Sequence, residues 1–461
     1  MPETAAAPVV VPQPQWTEQQ KERLLVIDFG SQVSHLICRR VREAGVYCEL
    51  RSCLIKAEEV RTFGPVALIL SGGPHSVYDA DGPHLLKEVW DLIDELKLPV
   101  LGICYGLQEI CHVNGGKVEP GLKREFGNAE LIVRNDVALQ TSDSKKSKGR
   151  SALFQDIPGD KMPVWMSHGD KVTALPDGFH AIANTDSCEF AAVENQERHF
   201  YGVQFHPEVT HTPCGAQIIK NFCLKIVGCK GEWNMHDFCT TQIDAIVAKV
   251  KAEDKYVVGA VSGGVDSSVA AALVFKAIGD KFKPFMVDTG LLRRDEAKIV
   301  KVRLEEHIPG MKLTVLDEAD HFYRELAGVS EPETKRKIIG RLFIEAFEKA
   351  VHSMGLDPAK CFLLQGTLYP DVIESTSYKG PSSIIKTHHN VGGLPARMKM
   401  QVIEPLRLLF KDEVRSLGNE LGLPMLSVMR HPFPGPGLGI RIIGEVTRES
   451  ADKCSHADDI Y

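Results

Sequence analysis

The sequence predicts an α/β protein built from two doubly wound domains, and three observations lead there. Short apolar runs that stop at glycine-rich turns recur in the first half, as LLVIDFGSQ (24–32), ALILSGGP (67–74) and LPVLGICYG (98–106). The pattern restarts at Tyr256, with apolar runs at 257–261, 284–288, 312–316 and 361–365 separated by long helical stretches. Strands that alternate with helices in this way form parallel sheets covered on both faces. Finally, 461 residues at about 150 per domain leave room for roughly three units, each with its own core.

Taken in order, the opening MPETAAAPVVVPQPQW has no basic segment, is broken by proline and lacks helical periodicity. Residues 1–22 are therefore expected to be a disordered tail and not a signal peptide. From residue 23 the first domain begins, with Val33, Leu36, Ile37 and Val41 at helical spacing after the first strand. It is expected to end at 229, after the strand and loop YGVQFHPE (201–208), where the glycines of GCKGEWN (228–234) punctuate the chain. The second domain is expected over 230–429. RHPFPGPGLG (430–439) is too rich in proline and glycine for a helix or strand, so 430–461 is expected to be a hinge loop into a further, incomplete unit.

Composition narrows the function classes. With 43% apolar and 25% charged residues the chain is ordinary for a soluble protein, and no apolar run approaches the roughly 20 residues of a spanning helix. A net charge of −7 argues against a large nucleic-acid footprint and leaves room for a local phosphate pocket. The twelve cysteines have no regular spacing, which fits free thiols in a reducing, cytoplasmic setting.

One cysteine stands apart. Gly102-Ile103-Cys104-Tyr105-Gly106 has the G-x-nucleophile-x-G form of a strand-to-helix elbow. The helix that follows points its N-terminus at the thiol and favours the thiolate. A cysteine on an apolar strand is more often a small buried hydrophobe, but the elbow spacing favours the nucleophile. His206 in FHPE is the candidate base and Glu208 its orienter, the division of labour of a serine triad. A zinc site of deaminase type is excluded, because position 217 is Gln where P-C-x-x-C needs its second cysteine.

SGGVDSS (262–268) is the second centre. Strand, glycine turn and helix together make an anion site from backbone N–H groups and the helix dipole. Neither a Walker A loop nor a dinucleotide fingerprint is present, and a plain helix capped by Ser262 or Asp266 is the bland alternative. Asp266 is the informative residue: a carboxylate beside polyphosphate is repulsive unless a cation lies between them, which implies Mg²⁺.

GICYGLQ and YGVQFHPE together resemble the triad-type class I glutamine amidotransferases. That resemblance implies attack of Cys104 on the glutamine carboxamide, with His206 and Glu208 as acid-base partner and orienter. It further implies an oxyanion and glutamine site at Gly72, Gly73, Tyr105, Gln108, His168 and Asp170. SGGVDS resembles the PP-loop of ATP pyrophosphatases, which implies ATP contacts at Ser262, Gly263, Gly264, Val265, Asp266, Ser267 and Ser268.

The tandem is similar to glutamine-hydrolysing GMP synthetases, and ETKRKIIGRLF (333–343), QGTLYPDVIES (365–375), IKTHHNVGGLP (385–395) and RHPFPGPGLGIR (430–441) match that family. By resemblance, Arg336 contacts the nucleotide substrate, Lys386 contacts ATP or pyrophosphate, and Asp371 joins Asp266 at Mg²⁺. The implied reaction is amination of XMP to GMP through an adenylated intermediate. Its partners are glutamine, ATP with Mg²⁺, and XMP, with neither nucleic acid nor membrane. The family continues into a dimerisation domain of which only the start is expected here. This keeps two alternatives open: a form without synthetase activity that retains glutaminase or ATP binding, and a PP-loop enzyme with another acceptor.

Overall fold

The computed structural model describes residues 20–139, 147–375, 400–431, 433 and 435–460. The chain divides into two compact units, Met1–Asn234 and Met235–Tyr461. Among the described residues no helix is long and apolar enough to cross a membrane.

In the first unit the strands are β1 (Arg23–Asp28), β2 (Tyr47–Ser52), β3 (Ala67–Leu70), β4 (Val100–Ile103), β5 (Lys117–Val133), β6 (Val137–Leu139), β7 (Ser147–Gly149), β8 (Lys161–Ala174), β9 (His180–Asn184), β10 (Ala192–Asn195) and β11 (Phe200–Val203). Its helices are α1 (Ser34–Glu43), α2 (Ala57–Phe63), α3 (Lys87–Leu96), α4 (Tyr105–Val113) and α5 (Gly215–Asn221). One sheet runs β2-β1-β3-β4-β11-β10-β9-β5-β8, while β6 and β7 form a separate ribbon. β1 to β4 and β11 are parallel, which is why β1, β3 and β4 are buried apolar runs with no alternation. The helical spacing after β1 is realised in α1, where Ile37 and Val41 are fully buried.

The other half of this sheet is antiparallel, unlike the all-parallel sheet the sequence predicts. β5 and β8 pair over most of their length, from Lys117 against Ala174 to Ile132 against Lys161. Alternation is their signature: in β8, Met162, Val164 and Met166 are buried while Lys161, Pro163 and Ser167 face water.

The second unit holds β12 (Tyr256–Ala260), β13 (Phe282–Asp288), β14 (Thr314–Asp317), β15 (Cys361–Leu364) and β16 (Gln401–Ile403) in the all-parallel order β14-β13-β12-β15-β16. The helices are α6 (Met235–Glu253), α7 (Val265–Ile278), α8 (Glu296–His307), α9 (Ala319–Glu325), α10 (Pro332–Ser353), α11 (Tyr369–Ser375), α12 (Lys411–Glu420), α13 (Met425–Val428) and α14 (Arg448–Ile460). Chain direction across the sheet reverses between β12 and β15, the place where open α/β sheets leave a ligand crevice at their carboxyl ends. The segment after the proline-glycine loop packs into this unit: Ile442, Val446 and Ala451 share a core cluster with Phe285, Leu291 and Ile339.

Candidate active sites

The first site lies at the carboxyl ends of β1, β3 and β4. Cys104 takes φ +54° and ψ −104° between β4 and α4, a conformation that L-residues adopt only when their surroundings enforce it. Those surroundings are the flanking glycines. A Cβ on Gly102 would sit 2.5 Å from Gly106 C, and one on Gly106 would sit 2.3 Å from Leu70 O. No other residue fits either position, so the elbow spacing read from the sequence is a backbone-packing requirement.

His206 follows β11, the strand parallel to β4, and is 8% exposed. Its backbone N–H donates to Trp165 O at 2.9 Å and its carbonyl accepts from Thr212 Oγ1 at 2.7 Å. Glu208 is fully buried and places Oε1 2.8 Å from His206 Nδ1. Burial alone would lower His206, but hydrogen bonds with Cys104 and Glu208 outweigh it and push the imidazole up to about 10. Both partners favour the protonated ring, which therefore holds its proton between the Cys104 sulfur and the Glu208 carboxyl group.

Gly72 and Gly73 border the same space. A Cβ on Gly72 would lie 3.2 Å from His206 Cε1 and 3.8 Å from Cys104 Cβ, and one on Gly73 would lie 2.9 Å from Phe29 O. Ser71 Oγ donates to Gly72 O at 2.8 Å and accepts from Phe29 N–H at 3.1 Å, which pins the Gly72–Gly73 peptide. Tyr105 is structural in its side chain: the ring packs 5.2 Å from Phe29 and the hydroxyl donates to Pro83 O at 2.7 Å. Only its main chain, the residue after the nucleophile, remains suited to the oxyanion role.

Gln108, His168 and Asp170 form one network. Gln108 Nε2 donates to Asp170 O at 2.9 Å, and His168 Nδ1 meets that same carbonyl at 2.9 Å. A carbonyl accepts only, so His168 carries its proton on Nδ1 here. Its Nε2 lies 3.6 Å from Glu125 Oε2, and burial lowers its pKa while Glu125 opposes that. The Asp170 carboxylate is bonded by Ser76 Oγ and, at 2.8 Å, by the Tyr78 hydroxyl. Gln204 Nε2 lies 3.7 Å from the Cys104 sulfur. Ser71, Ser76, Tyr78 and Gln204 were not singled out from the sequence, since hydroxyls and amides carry no spacing signal of their own.

The second site follows β12. Ser262 to Gly264 form the turn and α7 opens at Val265, itself buried. The loop closes on Ser267, whose Oγ accepts from Ser262 N–H at 3.2 Å and donates to Gly264 O at 3.1 Å. Ser268, also buried, donates its N–H to Gly264 O at 3.1 Å. Among the described residues no side chain caps α7, so neither Ser262 nor Asp266 plays the bland capping role. The helix N-terminus stays available to an anion. The QGT turn after β15 borders it, a Cβ on Gly366 lying 3.6 Å from Asp266 Cβ.

Mg²⁺ was expected beside Asp266 from the sequence; within the chain itself the carboxylate is met by a lysine. Lys411, at the start of α12, places Nζ 2.6 Å from both carboxylate oxygens. The two residues are 145 positions apart, and nothing local in KDEVRSLG marks that lysine. Among the described residues no group of three or more His, Cys, Asp and Glu side chains is arranged to hold a metal. The donor set fits Mg²⁺ that arrives on phosphate oxygens and takes one or two carboxylates, and does not fit a preformed cage. Asp371 accepts Leu368 N–H through Oδ2 at 2.9 Å at the start of its own helix.

Arg336 lies on an exposed face of α10 with Glu333 at 3.4 Å, while its neighbour Lys335 is buried and donates to Ile442 O at 2.7 Å. Lys386 lies outside the described residues.

Comparison with known proteins adds the lineage. Residues 25–226 match the model of the class-I glutamine amidotransferases. The Rhizobium johnstonii protein named GMP synthase, glutamine-hydrolyzing, is 52% identical over 443 residues, which cover 95% of this chain and 81% of that protein. Its namesake in Schizosaccharomyces pombe is 50% identical over 442 residues, covering 95% of this chain and 79% of that one. A Candida albicans protein of the same name is 49% identical over 442 residues, with the same two coverages. The Cys104 elbow and the Ser262–Ser268 loop thus sit on a chain that belongs to the family of glutamine-hydrolysing GMP synthases.

Proposed function

We propose that this chain is a glutamine-hydrolysing GMP synthase, a ligase that converts XMP, ATP, glutamine and water to GMP, AMP, pyrophosphate and glutamate. Residues 23–229 are read as its glutaminase domain and 230–429 as its ATP pyrophosphatase domain. The observation that carries this is the Cys104 elbow with His206 and Glu208 behind it, on a chain half identical to enzymes of that name.

In the first domain the Cys104 sulfur attacks the glutamine side-chain carbonyl, and backbone N–H groups at Gly73 and Tyr105 receive the developing oxyanion. His206 donates its proton to the departing ammonia, leaving a glutamyl thioester. It then takes a proton from water, whose oxygen attacks the thioester and releases glutamate and the thiolate. Glu208 holds the imidazole by Nδ1 through both steps, and the polar network of Gln108, His168 and Asp170 orients the amino-acid end of glutamine.

In the second domain the loop Ser262–Ser268 binds the polyphosphate of ATP through its N–H groups. Xanthine oxygen 2 attacks the α-phosphorus and pyrophosphate leaves. Ammonia then adds at C2 and AMP departs with that oxygen. Mg²⁺ bound with ATP would be held by Asp266 and Asp371 and would offset phosphate charge beside Lys411. Lys386 and Arg336 are assigned to the phosphates and to XMP.

The test is GMP formation followed by chromatography with XMP, ATP and Mg²⁺, using glutamine or ammonium, for the wild type and Cys104→Ala. The expected result is GMP from both nitrogen sources in the wild type and from ammonium alone in the variant. AMP release without GMP, or adenylation of another acceptor, would overturn the reading.

A further inference from the structure

The chain returns to the phosphate loop from 167 residues away. Arg430 Nη1 donates to Gly263 O at 2.6 Å, and its Nη2 bonds Glu296 Oε1. Both side chains are withdrawn from water, at 15% and 2% exposed. Glu296 opens α8, where the helix dipole favours a carboxylate, and its other oxygen accepts from Arg293 N–H at 2.8 Å. The carboxylate is therefore fixed on one side and fixes the guanidinium on the other.

Gly263 fits this clamp closely. It has φ +76°, and a Cβ there would lie 2.6 Å from Val300 Cγ2 and 2.8 Å from Arg430 Nη1. With its carbonyl held toward Arg430, the planar trans peptide turns the Gly264 N–H to the opposite side, toward Ser262 Oγ at 3.4 Å inside the turn. A loop that binds phosphate through main-chain N–H groups depends on such peptide orientations being set before the ligand arrives.

We propose that Arg430, held by Glu296, is a positioning residue for the phosphate loop. It fixes the Gly263–Gly264 peptide so that the loop's N–H groups meet the outer phosphates of ATP, and it does not touch the nucleotide itself. This rests on the reading of the loop as the ATP site. Ion pairing that merely anchored the 430 segment would stabilise the fold without distinguishing one nucleotide from another.

The test measures Mg²⁺·ATP, pyrophosphate and AMP binding by titration calorimetry on the full chain, with melting temperatures alongside. Lysine can satisfy only one of the two acceptors that the guanidinium fork spans. Arg430→Lys is therefore expected to weaken ATP and pyrophosphate about tenfold and to change AMP less than about twofold. Glu296→Gln keeps the shape, removes the charge and is expected to shift the same two ligands in the same direction. A wild type that binds no ATP would reject the underlying reading. A wild type that binds ATP, with both variants binding it equally well, would overturn the clamp alone, as would equal losses of AMP and ATP.

Discussion

Replacing Glu208 by glutamine isolates the charge behind His206. Glu208 is fully buried, and its Oε1 accepts from His206 Nδ1 at 2.8 Å. Burial works to lower the imidazole, and the hydrogen bonds to Cys104 and Glu208 overcome it. Glutamine keeps an acceptor oxygen in nearly the same place and removes the negative charge. Hydrogen bonds to charged groups contribute about 1.5–3 kcal/mol against about 0.5–1.5 for neutral ones, so roughly 1.5 kcal/mol of support for the imidazolium is lost. That corresponds to about a tenfold fall in glutamine-dependent GMP formation. Glu208 Oε2 lacks a hydrogen-bond partner among the described residues, so the amide that replaces it is buried unpaired and the melting temperature falls as well. Ammonium-dependent formation serves as the internal control and is expected to change less than about twofold. Glutamine-dependent turnover within about twofold of wild type would refute the reasoning, because the charge would then not be used. An equal fall with both nitrogen sources would point to damage of the fold.

Three further outcomes follow from the geometry. Gly106→Ala brings a Cβ to 2.3 Å from the Leu70 carbonyl, a backbone atom that cannot rotate away. It should cost at least about 1–3 kcal/mol, read as a lower calorimetric transition, and should abolish glutamine use while ammonium still yields GMP. Asp266→Asn leaves Lys411 without its carboxylate. GMP from glutamine and from ammonium should fall together, whereas alkylation of Cys104 by iodoacetamide should keep its wild-type rate. The folded state raises His206 from 6.5 to about 10, so its contribution to stability is complete below about pH 6.5 and is lost as pH rises through 10. The stability difference between wild type and His206→Gln, measured by denaturant titration, should therefore be larger at pH 6 than at pH 10.5. A difference that does not change with pH would contradict the ion pair.

What could be read from the chain alone is what short-range geometry demands. Gly102 and Gly106 are legible because a strand that turns sharply into a helix leaves no room for a Cβ at either place. Buried parallel strands are legible because both their faces must be apolar, and the turn into α7 because a glycine pair between an apolar run and a helical pattern breaks the strand. His206 and Glu208 belong with these, since two residues of spacing suffice for one to hold the other.

Partner choice across the fold lies beyond that reach. Asp266 is met by a cationic side chain, and any of 54 lysines and arginines could fill that place. Only the packing of α12 beside α7 brings Lys411 to Asp266. Arg430 on Gly263, Ser71 on Gly72, and Ser76 and Tyr78 on Asp170 are the same kind of fact. The antiparallel half of the first sheet escaped for a related reason, because alternation in β5 and β8 marks a strand without naming its neighbour. Local sterics fixed which residues are able to do the chemistry; the tertiary structure decided which charges and hydrogen bonds surround them, because those depend on distances the sequence does not contain.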